Sequence, residues 1–213
     1  MNSPLFAVHI ADSILSTTYV EVGYLLATLL IAVGSYRFSE SDIVRVGMLS
    51  AVFFVASTIN IRVGPTSVHL LMNGLLGVIL GRKAVLAISI GLLLQVLLLA
   101  HGGYSSLGCN IVIISLPALM AGSIFRFLRK TPMVAGALAG AFAVTGAVVL
   151  NWLVLVAGGN EDWRYLATVM GFAHLPIIGI EAAIVGATVK YLAKAKPELL
   201  GIQTTETGPV KSL

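Results

Sequence analysis

The chain has 213 residues, of which 58% are hydrophobic and only 10% charged, and its mean hydropathy is +0.99. A soluble domain carries about a quarter charged residues, so this composition excludes an ordinary water-soluble fold and indicates an all-α, polytopic membrane protein. The net charge of +4 does not by itself call for nucleic acid, and the single Cys109 excludes an intrachain disulfide framework and any paired-cysteine metal site.

The stretch "VHIADSIL", Val8 to Leu15, comes before any long apolar run and sets His9 and Asp12 at the edge of a very hydrophobic chain. The first dozen residues lack the basic and apolar regions of a secretory signal, so His9 is expected in the mature chain. Asp12 reads either as a partner of a ligand or of the folded-back chain, or as the N-cap of the first helix, a position that favours Asp. Spanning the hydrocarbon core takes about 17 to 20 apolar residues. Seven segments are candidates, at 18–36, 43–58, 68–80, 84–100, 111–128, 133–156 and 165–192. The third, "SVHLLMNGLLGVILG", is too short to cross unaided and follows the irregular "INIRVGPTS", so this backbone has to be buried in protein or line a cavity. The fourth and fifth are separated by the Gly-rich "AHGGYSSLGCN", which is able to fold back toward the bundle. Pro117 and Pro176 each interrupt an apolar run.

Seven crossings put the termini on opposite sides. With the N-terminus outside and the C-terminus cytoplasmic, Arg37, Arg45, Arg82, Lys83, Arg126, Arg129, Lys130, Lys190, Lys194, Lys196 and Lys211 fall inside, leaving only Arg62 and Arg164 outside. Short cytoplasmic loops carry the Lys/Arg excess, so this asymmetry sets the orientation and accounts for the positive charge without nucleic acid. A single membrane domain over 1–213 is expected, with 1–16 an extracytoplasmic N-terminal segment and 197–213 a flexible cytoplasmic tail.

In this topology His9 precedes the first crossing, His69 opens the short third segment, His101 closes the fourth and His174 lies in the outer part of the seventh. Asp12, Asn73, Gln95 and Asn110 share that side. Neutral imidazole suits Ni, Co, Zn and Cu, and amides or carboxylates orient the ring, so the pattern points to an outward-facing pocket for a divalent transition metal. Each residue also has a plainer reading. His101 suits a loop-folding role, and His174 beside Pro176 can bond a freed carbonyl. His69 is costly in a buried segment unless it is used. Glu181, about two turns deeper on the helix of His174, falls under the same rule; it can pair with a helix end or take part in subunit coupling rather than ligate metal. Gly136 and Gly140 form a small-residue packing face, and Trp152 and Trp163 suit an interfacial belt.

Together these pieces resemble the CbiM/NikM family, the substrate-binding membrane components of energy-coupling-factor cobalt and nickel importers. "VHIADSIL" is similar to the family's opening Met-His-Ile-Pro-Asp-Gly-type segment, and "GPTSVHLLMNGLLGVILG" to its Gly-Thr-Ser-x-His segment. "LLLQVLLLAHGGYSSLGCN" and "HLPIIGIEAAIVG" resemble its Gln-to-Gly-Gly run and its His-x-Pro helix with a later Glu. The resemblance implies a seven-helix bundle holding Co(II) or Ni(II) as cargo, with His9 and His69 as ligands and no catalytic cofactor. In the family the metal-binding histidine stands second, so that the free amine and a backbone nitrogen join it. Here seven residues precede Val8. Either trimming after Ala7 makes Val8 the amine ligand, or the site relies on side chains such as His9, His69 and His101.

The resemblance also implies partners: a transmembrane coupling subunit, two cytoplasmic ATPases and a small accessory membrane protein, with the assembly in the inner (cytoplasmic) membrane and surrounded by lipid. The chain lacks GxxxxGK[ST], so ATP hydrolysis is expected in a partner. Without HExxH or GxSxG, an intramembrane enzyme is a remote alternative to a transport component. A related component for zinc or a small organic molecule is the nearer alternative.

Overall fold

A computed structural model describes residues 9–63 and 66–202. Its helices are α1 (Thr17–Ser35), α2 (Glu40–Thr58), α3 (Asn73–Leu80), α4 (Ala84–Leu99), α5 (Leu107–Leu128), α6 (Pro132–Gly158), α7 (Arg164–Ala173) and α8 (Leu175–Ala195). Between α2 and α3 a small antiparallel hairpin pairs β1 (Asn60–Val63) with β2 (Thr66–His69).

By length and composition six helical stretches among the described residues qualify as membrane spans, with Asn73–Leu99 taken as one. That stretch is a hairpin rather than a rod. As one straight helix its 27 residues would reach about 40 Å at 1.5 Å per residue. Instead the rings of His69 and His101, which flank it, lie 5.5 Å apart. The reversal occurs at the 3-10 turn Gly81–Lys83, where Gly81 takes φ +56°. Arg82 there donates to the Tyr36 carbonyl and Lys83 pairs with Asp42, so the turn sits where α1 ends and α2 begins.

Among the described residues seven legs therefore cross the bundle: α1, α2, α3 with its non-helical lead-in, α4, α5, α6 and the α7–α8 pair. The third helix is shorter than the 68–80 run suggested, because strand β2 and a non-helical Leu70–Met72 replace its first turns. The seventh run is likewise split at His174, where Pro176 starts a new helix. The basic residues expected on one side do share one end among the described residues. They lie near the end of α1, the start of α2, the Gly81–Lys83 turn, the α5–α6 junction and the end of α8. Pro197–Leu200 forms a further 3-10 turn with Leu200 buried. Residues 203–213, which hold Lys211 and most of the expected tail, lie outside the described residues, as does Val8.

Close approach of backbones holds the interior together, as expected where helices associate without a hydrophobic driving force. A Cβ on Gly77 of α3 would overlap the Ala118 carbonyl of α5. Gly136 and Gly140 of α6 lie against Val189 and Val185 of α8. Outward-facing Leu25, Leu98 and Phe127 are 61%, 66% and 88% exposed, an apolar rim suited to lipid rather than water.

Candidate metal centre

At the end of the bundle opposite the basic turns, three non-helical segments each deliver one histidine. His9 comes from the N-terminal segment, His69 from the end of β2 and His101 from the α4–α5 loop. The rings of His9 and His69 are stacked at 4.8 Å with an interplanar angle of 1°. His101 meets them edge-on, 5.1 Å from His9 and 5.5 Å from His69. One ligand atom from each of the three lies within 4.8 Å of the others. Bonds of about 2.0–2.1 Å to a shared ion place two nitrogens at most about 4.2 Å apart, so closure on an ion needs shifts of under about 1 Å.

His9 and His69 are 4% and 1% exposed, yet both ring nitrogens of His9 and the Nε2 atoms of His69 and His101 have no hydrogen-bond partner among the described residues. Buried polar atoms are nearly always paired, and leaving one bare costs about 1–3 kcal/mol. A cluster of bare imidazole nitrogens within 4.8 Å of one another is therefore unusual unless a cation joins them. Burial and the neighbouring imidazoles hold the His9 pKa well below its ordinary value of 6.5. Burial pushes His69 down to about 4, against the raising effect of its bond to the Leu70 carbonyl. Burial also lowers His101. All three are thus neutral near pH 7, the form that offers a lone pair to a metal.

Each histidine is held by a different device. Asn110, 1% exposed on α5, reads the backbone next to His9: its Oδ1 accepts from Ile10 N at 2.8 Å and its Nδ2 donates to Ile10 O at 2.9 Å. Ser106 adds a hydroxyl bond to the same carbonyl. Further along, Asp12 Oδ1 accepts from Ser105 N and Oγ at 2.7 and 2.6 Å. Desolvation raises the Asp12 pKa, but the Ser105 bonds and the nearby backbone amides outweigh it and hold the carboxyl below its ordinary value. Asn160, at the far side, donates to Ser13 O and Leu15 O, while Ser16 N reaches Gly158 O. The segment 9–16 is thereby strapped between the start of α5 and the end of α6. Gly103 leaves room for it, since a Cβ there would overlap the Asp12 backbone.

His101 is turned back by left-handed backbone at Ala100 (φ 48°) and Gly102 (φ 83°). Its N–H closes on the carbonyl of Gln95, whose side chain donates to Ser57 Oγ at 2.7 Å and so ties α4 to α2. His69 is oriented by its contact at 3.0 Å with the Leu70 carbonyl, which makes Nδ1 the donor and leaves the Nε2 lone pair available to an ion.

The other polar residues singled out in the sequence bond elsewhere. Asn73 donates to Ile114 O and Ala143 O, each at 3.2 Å, clamping α3 to α5 and α6. His174, wholly buried at the α7–α8 junction, donates from Nδ1 to Met170 O at 2.7 Å and leaves Nε2 unpartnered. Glu181 accepts the backbone N–H groups of Leu71 and Met72.

Residues 9–199 match the family model described as "Cobalt uptake substrate-specific transmembrane region", CbiM. The chain belongs to the CbiM family. It is 33% identical over 198 residues to a Haemophilus influenzae protein named for metal transport, a match covering 90% of this chain and 96% of that one. It is 30% identical over 216 residues to "Cobalt transport protein CbiM" of Geobacter sulfurreducens, covering 92% of this chain and 62% of that one. A crystal structure of a transition metal transporter has the same fold, with a TM-score of 0.79 at 23% identity over 88% of this chain and 93% of that one. The chain is accordingly a multi-pass membrane component of a transport system, with the CbiM fold.

Ser105, Ser106 and Asn160 were not singled out by sequence reasoning. Hydroxyls and an amide in loops carry no local signal, and only the Gly-rich run around Gly102 and Gly103 hinted that another segment comes close.

Proposed function

We propose that this chain captures a cobalt or nickel ion at the extracytoplasmic end of the bundle, through His9, His69 and His101. The observation that carries this reading is the convergence of three buried imidazoles from three separate segments, with ligand atoms within 4.8 Å and most of their nitrogens bare. The family description supports cobalt, and a relative in Archaeoglobus fulgidus, 27% identical over 199 residues, bears a fused nickel transport name. Asp12, Asn110 and Gln95 hold the ligand-bearing segments; Asn73 and Glu181 brace the break before α3; His174 lies behind the cluster.

The Lys/Arg excess at the opposite end supports an N-terminus outside, a C-terminus in the cytoplasm and a place in the inner membrane. The whole chain acts as one membrane domain. It is a binding component rather than an enzyme, and with no phosphate loop of its own it works with a transmembrane coupling subunit and two cytoplasmic ATPases, aided by a small accessory membrane protein. Zn(II) is the second reading, because an all-imidazole ligand set also suits that ion. Equilibrium dialysis of the detergent-purified chain against Co(II), Ni(II) and Zn(II) tests both. One ion per chain, lost in His9→Ala and His69→Ala, is expected; preference for Zn(II) over the other two would move the assignment to the second reading.

A further inference from the structure

Leu70 and Leu71 share a single peptide group, and its two ends are both used. The carbonyl end lies 3.0 Å from His69 Nδ1, while the N–H end donates to Oε1 of Glu181 on α8. The next amide, Met72 N, donates to the same oxygen at 2.7 Å. We propose that Glu181 is a positioning residue for the His69 ligand, acting through the Leu70–Leu71 peptide. The inference rests on the reading of His69 as a metal ligand.

Metal-ligating histidines commonly donate their second ring N–H to a carboxylate or carbonyl, which fixes the tautomer and strengthens the ligand. Here a peptide stands between carboxylate and imidazole. An anionic acceptor at the N–H end polarises the amide and makes its carbonyl a stronger acceptor for Nδ1–H. The proton is thereby held on Nδ1, and the Nε2 lone pair, buried and bare, is left for the ion.

Glu181 is 0% exposed, its Oε2 has no partner, and no basic side chain pairs with it among the described residues. A structural cap alone does not explain such a group. The non-helical Leu70–Met72 lead-in needs acceptors at membrane depth, and Met72, at the N-cap position of α3 with left-handed φ 52°, supplies no side-chain bond. A neutral amide side chain would take the same two donors with less desolvation cost. When ionised, a carboxylate adds charge that an amide lacks, facing the positive end of α3 and polarising the peptide behind His69.

The full chain in detergent tests this with Glu181→Leu, Glu181→Gln and His69→Ala. Co(II) affinity is measured by dialysis, and the His69 tautomer in the metal-free protein by imidazole 15N NMR, assigned by the resonance lost in His69→Ala. Glu181→Leu is expected to weaken Co(II) binding about 10- to 100-fold and to cost His69 its Nδ1–H tautomer. Glu181→Gln is expected to keep the tautomer and bind severalfold more weakly than wild type. Wild-type affinity in folded Glu181→Leu, or lost affinity with an unchanged His69 tautomer, would overturn the proposal. If Glu181→Leu does not fold, Glu181→Gln decides, and wild-type affinity there overturns it. Undiminished Co(II) binding by His69→Ala would instead overturn the metal-centre reading, and the tautomer result would stand apart from it.

Discussion

Two segments without helix, 9–16 and 69–72, each carry a histidine into the same cluster, but they are held in opposite ways. The first is strapped by loop and helix-end groups, Ser105, Ser106, Asn110 and Asn160, and Ser105 and Asp12 meet at the exposed rim. The second is held by Glu181 and followed at once by Asn73, both 0% exposed, reaching helices α5, α6 and α8. A strap anchored on loops and helix ends can be loosened with less disturbance to the packing between helices. A break anchored in the core cannot, because its bonds also hold the bundle. Changes near His9 should therefore act mainly on binding, and changes behind His69 on binding and stability together.

The largest effect is expected where the two segments meet. His9→Ala or His69→Ala should lower Co(II) affinity at least about 100-fold, since each removes a proposed ligand; dialysis reads this directly. A fall from only one of them would break the symmetry of the pair. Next comes Asn73→Leu, which removes two buried hydrogen bonds and should cost about 1–3 kcal/mol of stability, seen as an earlier thermal unfolding midpoint. Asn110→Ala sharpens the contrast: it also removes two bonds, but to the strap, so affinity should fall about tenfold with a smaller shift in the midpoint. Equal midpoint losses in the two variants would contradict the distinction. Asp12→Asn, at the rim, should weaken binding less than threefold.

Acid gives a further test. His69 falls from 6.5 to about 4 in the folded chain, so below pH 6.5 the unfolded chain binds more protons than the folded one. Stability of the metal-free protein should then decrease as pH falls from about 6.5 toward 4, and His69→Gln should flatten that decline. Unfolding midpoints at pH 7.5 and 5 check the sign.

Much of the architecture was legible because the signals are long. Seven apolar runs, basic residues gathered at one end and four histidines in a chain of 10% charge stand out against such a background. The return at Gly81–Lys83 was legible too, because Arg82 and Lys83 divide the 68–80 run from 84–100, whereas the split at His174 was less so, since 165–192 reads as one apolar run that Pro176 merely interrupts. The anchors were hidden for another reason. Asn110 meets Ile10 across 100 residues, and Glu181 meets Leu71 across 110, and side chain-to-backbone bonds at such range impose no periodicity on either partner. Glu181 was visible as an expensive residue, and pairing with a helix end was among the roles its burial allowed, but the helix it braces was not.

In the proposed centre His9, His69 and His101 hold one transition-metal ion together. X-ray absorption of the full-length chain loaded with one equivalent of Co(II) tests it most directly, with His101→Ala beside it. Three imidazole nitrogens at about 2.0–2.1 Å in the wild type, and one fewer in His101→Ala, is the predicted result. A cobalt shell with fewer than three imidazoles in the wild type, or one unchanged by His101→Ala, would contradict it.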